Sequence, residues 1–310
     1  MFIVNTIAKK HEVILKRGTI IRGKWHSNTY SVVRLLGSGT VGTVYLCTSK
    51  GRQVAVKISD QSLSMTAEVQ ALKTLRIGKV QDSGLGPYLL DVDDWQMNDG
   101  KIISFYAMEY VEGVSLRAFI QRHGTIWISS LLFQLLEQLE RLHKIGYVFG
   151  DLKSDNIIIT SNPPTVRLID VGGMTKIGRS VKEYTNFFDR AYWRLGKRLA
   201  EPSYDLFAVT MVLLTVFYPR KFTRVGDSYS LLRKKVMQVR PLRIYAPVLL
   251  QSLAGTYRNS RAMRDDLYKR LTDDKHKRQK RSTKHSVMEL ILVVGCASIY
   301  YGVYTVLINL

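Results

Sequence analysis

The sequence predicts an α+β fold of two lobes followed by an apolar tail, and three observations carry that expectation. Runs of strand character crowd the stretch from Thr29 to Val111. After Gly113 the apolar spacing turns helical, in SLLFQLLEQLERLHKIG and again in SYDLFAVTMVLLTVFY. Strands first and helices later, rather than in alternation, point to segregated layers. The last 21 positions, Leu290 to Leu310, hold no charged residue.

The elements follow in order. TYSVVRLLG, TVYLCTS and QVAVKIS read as three strands, separated by GSGTVG and SKGR. SLSMTAEVQALKTLR reads as a helix with Met65, Val69, Leu72 and Leu75 on one face and Glu68 beside them. GPYLLDVDDW and KIISFYAMEYV add two strands, and the lobes join at MEYVEG. SLLFQLLEQLERLHKIG ends at a glycine stop. The expected divisions are an N-terminal extension (1–29), an N-lobe (30–111), a C-lobe (112–272), a basic linker (273–286) and a tail anchor (287–310).

Composition narrows the function classes. Hydrophobic residues at 46% and charged residues at 23% exclude wholesale disorder. A formal charge of +21 predicts attraction to polyanions. The two cysteines, Cys47 and Cys296, offer neither a disulfide framework nor a zinc pattern, which suits a reducing compartment. MFIVNTIAKK is too short an apolar run for a signal peptide. As a helix the tail would reach about 30 Å, the thickness of a bilayer core. Six Lys or Arg in KHKRQKRSTKH, residues 275–285, precede it without an acid. The positive-inside rule then predicts a single-pass cell-membrane protein with its folded part in the cytoplasm.

The chemistry sits in the lobes. Gly37, Ser38, Gly39, Thr40, Val41 and Gly42, with Val44, give G-x-G-x-x-G-x-V. Dinucleotide-binding turns use the same glycines, but they open a helix, and TVYL here continues as a strand. A glycine hairpin with exposed amides can close over phosphates. Thirteen residues after Val44, Lys57 lies inside the strand VAVK. A buried ammonium needs a partner, and Glu68 can supply it. VFGDLKSDN places Asp151, Lys153 and Asn156 at spacings that suit a phosphoryl group and its metal, and DVGG follows with Asp170.

This ordered set, GxGxxGxV, VAVK, MEYV, DLKxxN and DVG, resembles that of the Hanks-type (eukaryotic-like) bacterial serine/threonine protein kinases, from about Tyr30 to Asp273. Within that family it looks most like the small membrane-anchored YabT-type kinases of spore-forming bacilli. The resemblance implies the two-lobed protein-kinase fold, ATP, Mg²⁺ and protein substrates bearing Ser or Thr, and it carries an implication of sporulation. It also implies roles. The glycine hairpin would cover the ATP phosphates, with Val44 and Ala55 over the adenine. Lys57, paired with Glu68, would hold the α- and β-phosphates. The backbone of Glu109 and Val111 would meet the adenine edge. Asp151 would orient the substrate hydroxyl and accept its proton, and Lys153 would steady the γ-phosphate. Asn156 and Asp170 would ligate Mg²⁺, and Asp205 would hold the catalytic-loop backbone.

The chain departs from the family pattern in three places. Phe149-Gly150 replaces the His-Arg pair before the catalytic aspartate, Val171 replaces a phenylalanine, and no Ala-Pro-Glu can be placed. The missing arginine would normally receive a phosphorylated activation loop. The expectation is an active, autophosphorylating kinase; the alternative is a catalytically weak scaffold binding nucleic acid or a protein partner at the membrane. Thr175, Ser180 and Thr185 are open as autophosphorylation positions. Residues 257–285 carry eleven Lys or Arg against four Asp, and the charge continues in Lys176 to Arg198 and Arg233 to Arg243. The juxtamembrane charges could serve topology, anionic lipid or DNA bound without sequence preference. Candidate polyanion contacts are Arg258, Arg261, Arg264 and Lys269 along one helix, with Arg270, Lys275, Lys277, Arg278, Lys280, Arg281 and Lys284. Ser298-x-x-x-Gly302 and Gly295 would let tail helices pair.

Overall fold

The computed structural model describes residues 14–39, 41–80, 84–97 and 99–274. The linker from residue 275, the apolar tail with Cys296, Gly295, Ser298 and Gly302, and Thr40 lie outside the described residues.

The expected strands form. β2 (Thr29–Ser38), β3 (Thr43–Ser49), β4 (Arg52–Ser59), β5 (Leu89–Gln96) and β6 (Ile102–Glu109) build an antiparallel sheet. A short strand, β1 (Ile20–Arg22), adds to its edge, giving the order β1-β2-β3-β4-β6-β5. The sheet therefore begins inside the stretch assigned above to an extension. The turn after β1 is tied down by Asp93, which accepts from the Trp25 and His26 amides at 2.9 and 2.8 Å.

Period-two alternation decides which side chains face the chemistry. On β4, Val54, Val56 and Ile58 enter one apolar cluster with Phe105 and Ala107 of β6. Ala55 and Lys57 point to the other face, opposite Met108 and Tyr106. That face is covered by α1 (Ser62–Ile77), whose Met65, Val69, Leu72 and Leu75 are buried as the spacing predicts.

Beyond β6 a short strand, β7 (Val114–Ser115), leads into helices. These are α2 (Leu116–His123), α3 (Ile128–Lys144), α4 (Pro202–Phe217), α5 (Ser228–Gln238), α6 (Ala246–Leu253) and α7 (260–274). α3 buries a single stripe, as its periodicity requires. α4 is buried on every side from Tyr204 to Leu214, which accounts for its unbroken apolar run. Short strands, β8 (Tyr147–Val148), β9 (Ile157–Ile159), β10 (Val166–Leu168) and β11 (Thr175–Lys176), pair as β7-β9-β10 and β8-β11. They hold the catalytic loop between them. No helix among the described residues is long and apolar enough to cross a membrane.

Arg167 of β10 straps the lobes together. Its guanidinium donates to both oxygens of Glu109 at 2.9 and 2.7 Å, the bidentate geometry that suits arginine. The Glu109 amide in turn donates to the Tyr88 carbonyl at 2.8 Å. Val111 lies just beyond β6, partly buried.

Candidate active site

Lys57 lies 2.6 Å from both oxygens of Glu68, and the Tyr106 hydroxyl adds a third donor at 2.7 Å. Lys57 and Glu68 are only 8% and 3% exposed. Burying such a pair is tolerable because each charge meets its opposite and the carboxylate is saturated. Tyr106 escapes the sequence reading because only the β4–β6 register puts it opposite Lys57. Burial and the neighbouring Glu68 hold its phenol well above the ordinary range.

The three glycines of the hairpin serve two purposes. A side chain at Gly37 would meet nothing within 4 Å, and one at Gly39 only the Gly42 carbonyl, at 4.0 Å. Gly42 differs: a Cβ there would fall 2.4 Å from the Ile58 carbonyl of β4. Gly37 and Gly39 thus keep the hairpin open, and Gly42 lets it lie against the sheet. Ser38 ends β2, and the Val41 carbonyl accepts the Ser59 hydroxyl. Val44 and Ala55 both adjoin the core on the site-facing side.

In the catalytic loop both carboxylate oxygens of Asp151 are engaged, one by the Lys153 ammonium and the other by Thr185 Oγ1 at 2.9 Å. Burial opposes the charge of Lys153, but its hydrogen bond to Asp151 and the charges of Asp151, Asp170 and Asp155 outweigh it and raise its pKa. Asn156 donates its amide nitrogen to the Asp151 carbonyl at 3.0 Å. Its side-chain oxygen is therefore the atom left for a cation. The Asn156 carbonyl accepts the Ile169 amide at 3.0 Å, which draws Asp170 alongside. One amide oxygen and one carboxylate make a hard donor set that fits Mg²⁺.

Asp205, at the head of α4, accepts the Phe149 and Gly150 amides at 2.7 and 3.0 Å, as expected. It also meets His143 Nε2 at 2.8 Å, and His143 Nδ1 meets Ser260 of α7 at 2.9 Å. His143 and Ser260 carry no motif, so nothing in the sequence marks them.

Gly150 has φ +80°, and a Cβ there would fall 2.4 Å from the Gly173 carbonyl. A Cβ at Gly173 would in turn fall 2.8 Å from the Asp151 amide. Gly150 and Gly173 serve one feature: the catalytic loop and the DVGG turn touch backbone to backbone. An arginine has no room where the family pattern would put it. Val171 is buried against Gly86, close to Leu75 of α1, within the same core as Phe149.

With no arginine to receive it, the activation segment is anchored from its own side. Thr185 grips Asp151, and Thr175 is fully buried, donating to the Gly173 carbonyl at 2.8 Å. Of the three open autophosphorylation positions, Thr175 is fully buried, Thr185 is half-buried against Asp151 and Ser180 is exposed. Glu183 turns inward, half-buried. Its carboxylate, with those of Asp170 and Glu68, lies 3.3 Å from the point where a Gly172 Cβ would stand. Burial raises the Glu183 pKa, Asp170 and Glu68 raise it further, and Lys57 opposes them. Nothing in the sequence marks Glu183, because an acid in a basic loop gives no signal of the direction its side chain takes.

The candidate polyanion residues do not form one row. Arg258, Arg261 and Lys269 are exposed. Arg264 is drawn inward to Glu140 of α3 at 2.9 Å, and Arg270 pairs with Asp266 on the opposite side of α7 at 2.9 Å. Helical spacing put them in one stretch, but the buried stripe Ser260, Met263 and Leu267 separates Arg264 from Arg270. Lys275, Lys277, Arg278, Lys280, Arg281 and Lys284 lie outside the described residues.

The family defined by the protein kinase domain matches residues 30–290. The chain belongs to the protein kinase family. Over 254 residues it is 44% identical to the serine/threonine-protein kinase YabT of Bacillus subtilis, covering 82% of this chain and 75% of that protein. It is 34% identical over 147 residues to the serine/threonine-protein kinase cds1 of Schizosaccharomyces pombe, covering 45% of this chain and 32% of that protein. Vaccinia related kinase 3 shares the fold, with a TM-score of 0.61 at 16% identity, covering 84% of this chain and 92% of that one. So does the Cydia pomonella granulovirus kinase PK-1, with a TM-score of 0.55 at 19% identity and coverages of 73% and 87%. The protein is a serine/threonine kinase, and the family's cofactors are ATP and Mg²⁺.

Proposed function

We propose that this kinase is catalytically active, phosphorylates itself, is held at the cell membrane by its tail with the lobes in the cytoplasm, and is stimulated by a polyanion at its basic C-terminal region. The observation that carries the catalytic part is the saturated Asp151, fixed by Lys153 and Thr185 without any phosphorylated residue. A scaffold that had lost its chemistry would have no use for that arrangement.

In the proposed reaction Asp151 orients the acceptor hydroxyl and takes its proton as the new O–P bond forms. The bond from the γ-phosphorus to the β–γ bridging oxygen breaks, and ADP leaves with that oxygen. Lys153 steadies the γ-phosphoryl group, and Lys57, locked by Glu68 and Tyr106, holds the α- and β-phosphates. Gly37 and Gly39 leave the hairpin amides free to close over them. Asn156 and Asp170 would hold Mg²⁺, which when bound with ATP neutralises charge on the phosphates.

Membrane anchoring rests on the 21 uncharged residues after six juxtamembrane cations. Polyanion stimulation rests on those cations together with exposed Arg258, Arg261 and Lys269. Duplex DNA and anionic lipid share the phosphate chemistry, and pairing of tail helices would bring copies together for phosphorylation in trans. The test uses the full chain in neutral-lipid nanodiscs and follows γ-phosphate transfer from ATP and Mg²⁺ to itself and to a generic protein. Duplex DNA or anionic lipid is added at two salt concentrations, with Asp170→Asn as control. Transfer that vanishes in the variant, rises with the polyanion and falls with salt supports the whole reading. Transfer indifferent to both polyanions removes the stimulation, and ATP binding without any transfer leaves the scaffold alternative.

A further inference from the structure

The activation segment separates its charges by what they do. Between residues 176 and 198 there are two acids, and both face inward. Asp189 is fully buried, accepting from Arg198 at 2.6 Å and from the Tyr204 hydroxyl at 3.0 Å, and Glu183 turns to the Asp170 side. Arg190 and Arg198 are used internally as well, against Glu201 and Asp189. Lys176, Arg179, Lys182, Arg194 and Lys197 remain, all exposed, and none is ion-paired with an acid among the described residues, though Glu201 feels the charge of Lys197.

Backbone pairing brings three of these cations, Arg179, Lys182 and Lys197, onto one paired stretch of the segment. The Gly178 and Val181 amides donate to the Ala200 and Arg198 carbonyls at 2.9 and 3.2 Å, and the Ala200 amide returns to the Arg179 carbonyl at 2.8 Å. That ladder sets Lys182 across from Lys197, with Arg179 across from Ala200 on the same paired stretch. The same segment is fastened to the chemistry, since Thr185 touches Asp151. Lys182 and Thr185 are three positions apart, a span of at most about 10 Å. An extended chain with its hydroxyl at Asp151 would therefore present residues about two to four positions away to this surface.

We infer that the activation segment is a docking surface for acidic protein segments, and that the kinase prefers Ser or Thr flanked by Asp or Glu. This rests on the kinase reading and names its substrate class. Like charges opposing one another exclude basic segments, so the surface selects as well as attracts.

The test measures binding to the full chain in neutral-lipid nanodiscs, with a non-hydrolysable ATP analogue and Mg²⁺. Three fluorescent peptides of equal length carry Ala at the acceptor position and Glu, Gln or Lys at the flanks. The Glu peptide is expected to bind at least about fivefold more tightly than the Gln peptide, and the Lys peptide least, with the gap shrinking in high salt. The triple reversal Arg179→Glu, Lys182→Glu and Lys197→Glu should invert that order, which unfolding cannot mimic. Arg233→Glu with Lys234→Glu, exposed on α5, removes a comparable charge elsewhere and should leave the order unchanged.

Equal binding of the Glu and Gln peptides, or an order that the triple reversal does not change, overturns the inference. So does a triple reversal that abolishes duplex-DNA binding while peptide preference stays the same, which would make the surface a nucleic-acid one. Ser versions of the peptides separate the two levels of the argument. Equal phosphorylation of all three would leave the kinase standing without this preference, whereas no transfer to any of them would count against catalysis itself.

Discussion

At the scale of single residues, Asp151 and Gly150 bear the sharpest consequences. Asp151→Asn removes the base and is expected to lower transfer about 10²- to 10⁴-fold with nucleotide affinity unchanged, measured by single turnover and ATP-analogue binding. Thr185→Ala frees one Asp151 oxygen and should cost about tenfold in kcat with little change in the KM for ATP, while Thr185→Ser restores it. Gly150→Arg, the substitution that would reinstate the family pattern, meets both a left-handed φ and the Gly173 carbonyl. It should lower stability by about 1–3 kcal/mol in a thermal melt and confer no dependence on loop phosphorylation. Glu183 behaves the other way. Its carboxyl pKa is raised in the folded chain, so its ionised form costs stability at neutral pH. Glu183→Gln should raise the melting temperature of the nucleotide-free protein at pH 8. That gain should fade as the pH falls through the raised pKa towards the ordinary glutamate range. Burial pushes the Cys47 thiol up to about 12. At pH 8 it should resist alkylation until the protein unfolds, and mass spectrometry of denaturant-titrated samples checks this.

The elements show what the sequence could and could not convey. The helix period was legible in α1, where one face is buried, because burial itself writes the pattern, whereas β4, buried on both faces, showed only as a short β-branched run. The Lys57–Glu68 pair was legible for the same reason, since a strand lysine demands a partner. β1 was not, because three residues are too few to show a period and it gains its place only by pairing with β2. Tyr106 and Thr185 depend on register and on a loop path, neither of which composition encodes. The missing arginine was visible as a letter, but the reason for it was not, because the Gly150–Gly173 contact joins residues 23 positions apart. α7 illustrates a third limit: cations that look equivalent in sequence divide into Arg264, which docks the helix on α3, and Arg261, which faces out. Arg264→Ala should therefore cost about 1–2 kcal/mol of stability, whereas Arg261→Ala should leave the thermal midpoint almost unmoved.

For the whole molecule the charge of +21 is divided between a structured body and a basic run that leads to the apolar tail. If the six cations of residues 275–284 each meet a phosphate, log affinity for duplex DNA should fall with log salt at a slope of about −5. Ending the chain at residue 274 should remove most of that slope while leaving the lobes folded. The body then retains the activation-segment cations for shorter acidic partners, so DNA steepness and peptide preference should separate in the truncated chain.

The chain of Ser260, His143 and Asp205 gives this division a mechanical meaning. Ser260 opens α7, the helix that runs towards the tail, and Asp205 holds the amides just before the catalytic aspartate. Counted in contacts rather than in residues, the route from the start of α7 to the Phe149 amide is three hydrogen bonds long. A displacement at the start of α7 is expected to reach the Phe149 amide through these links, and each of them can be cut singly by substitution.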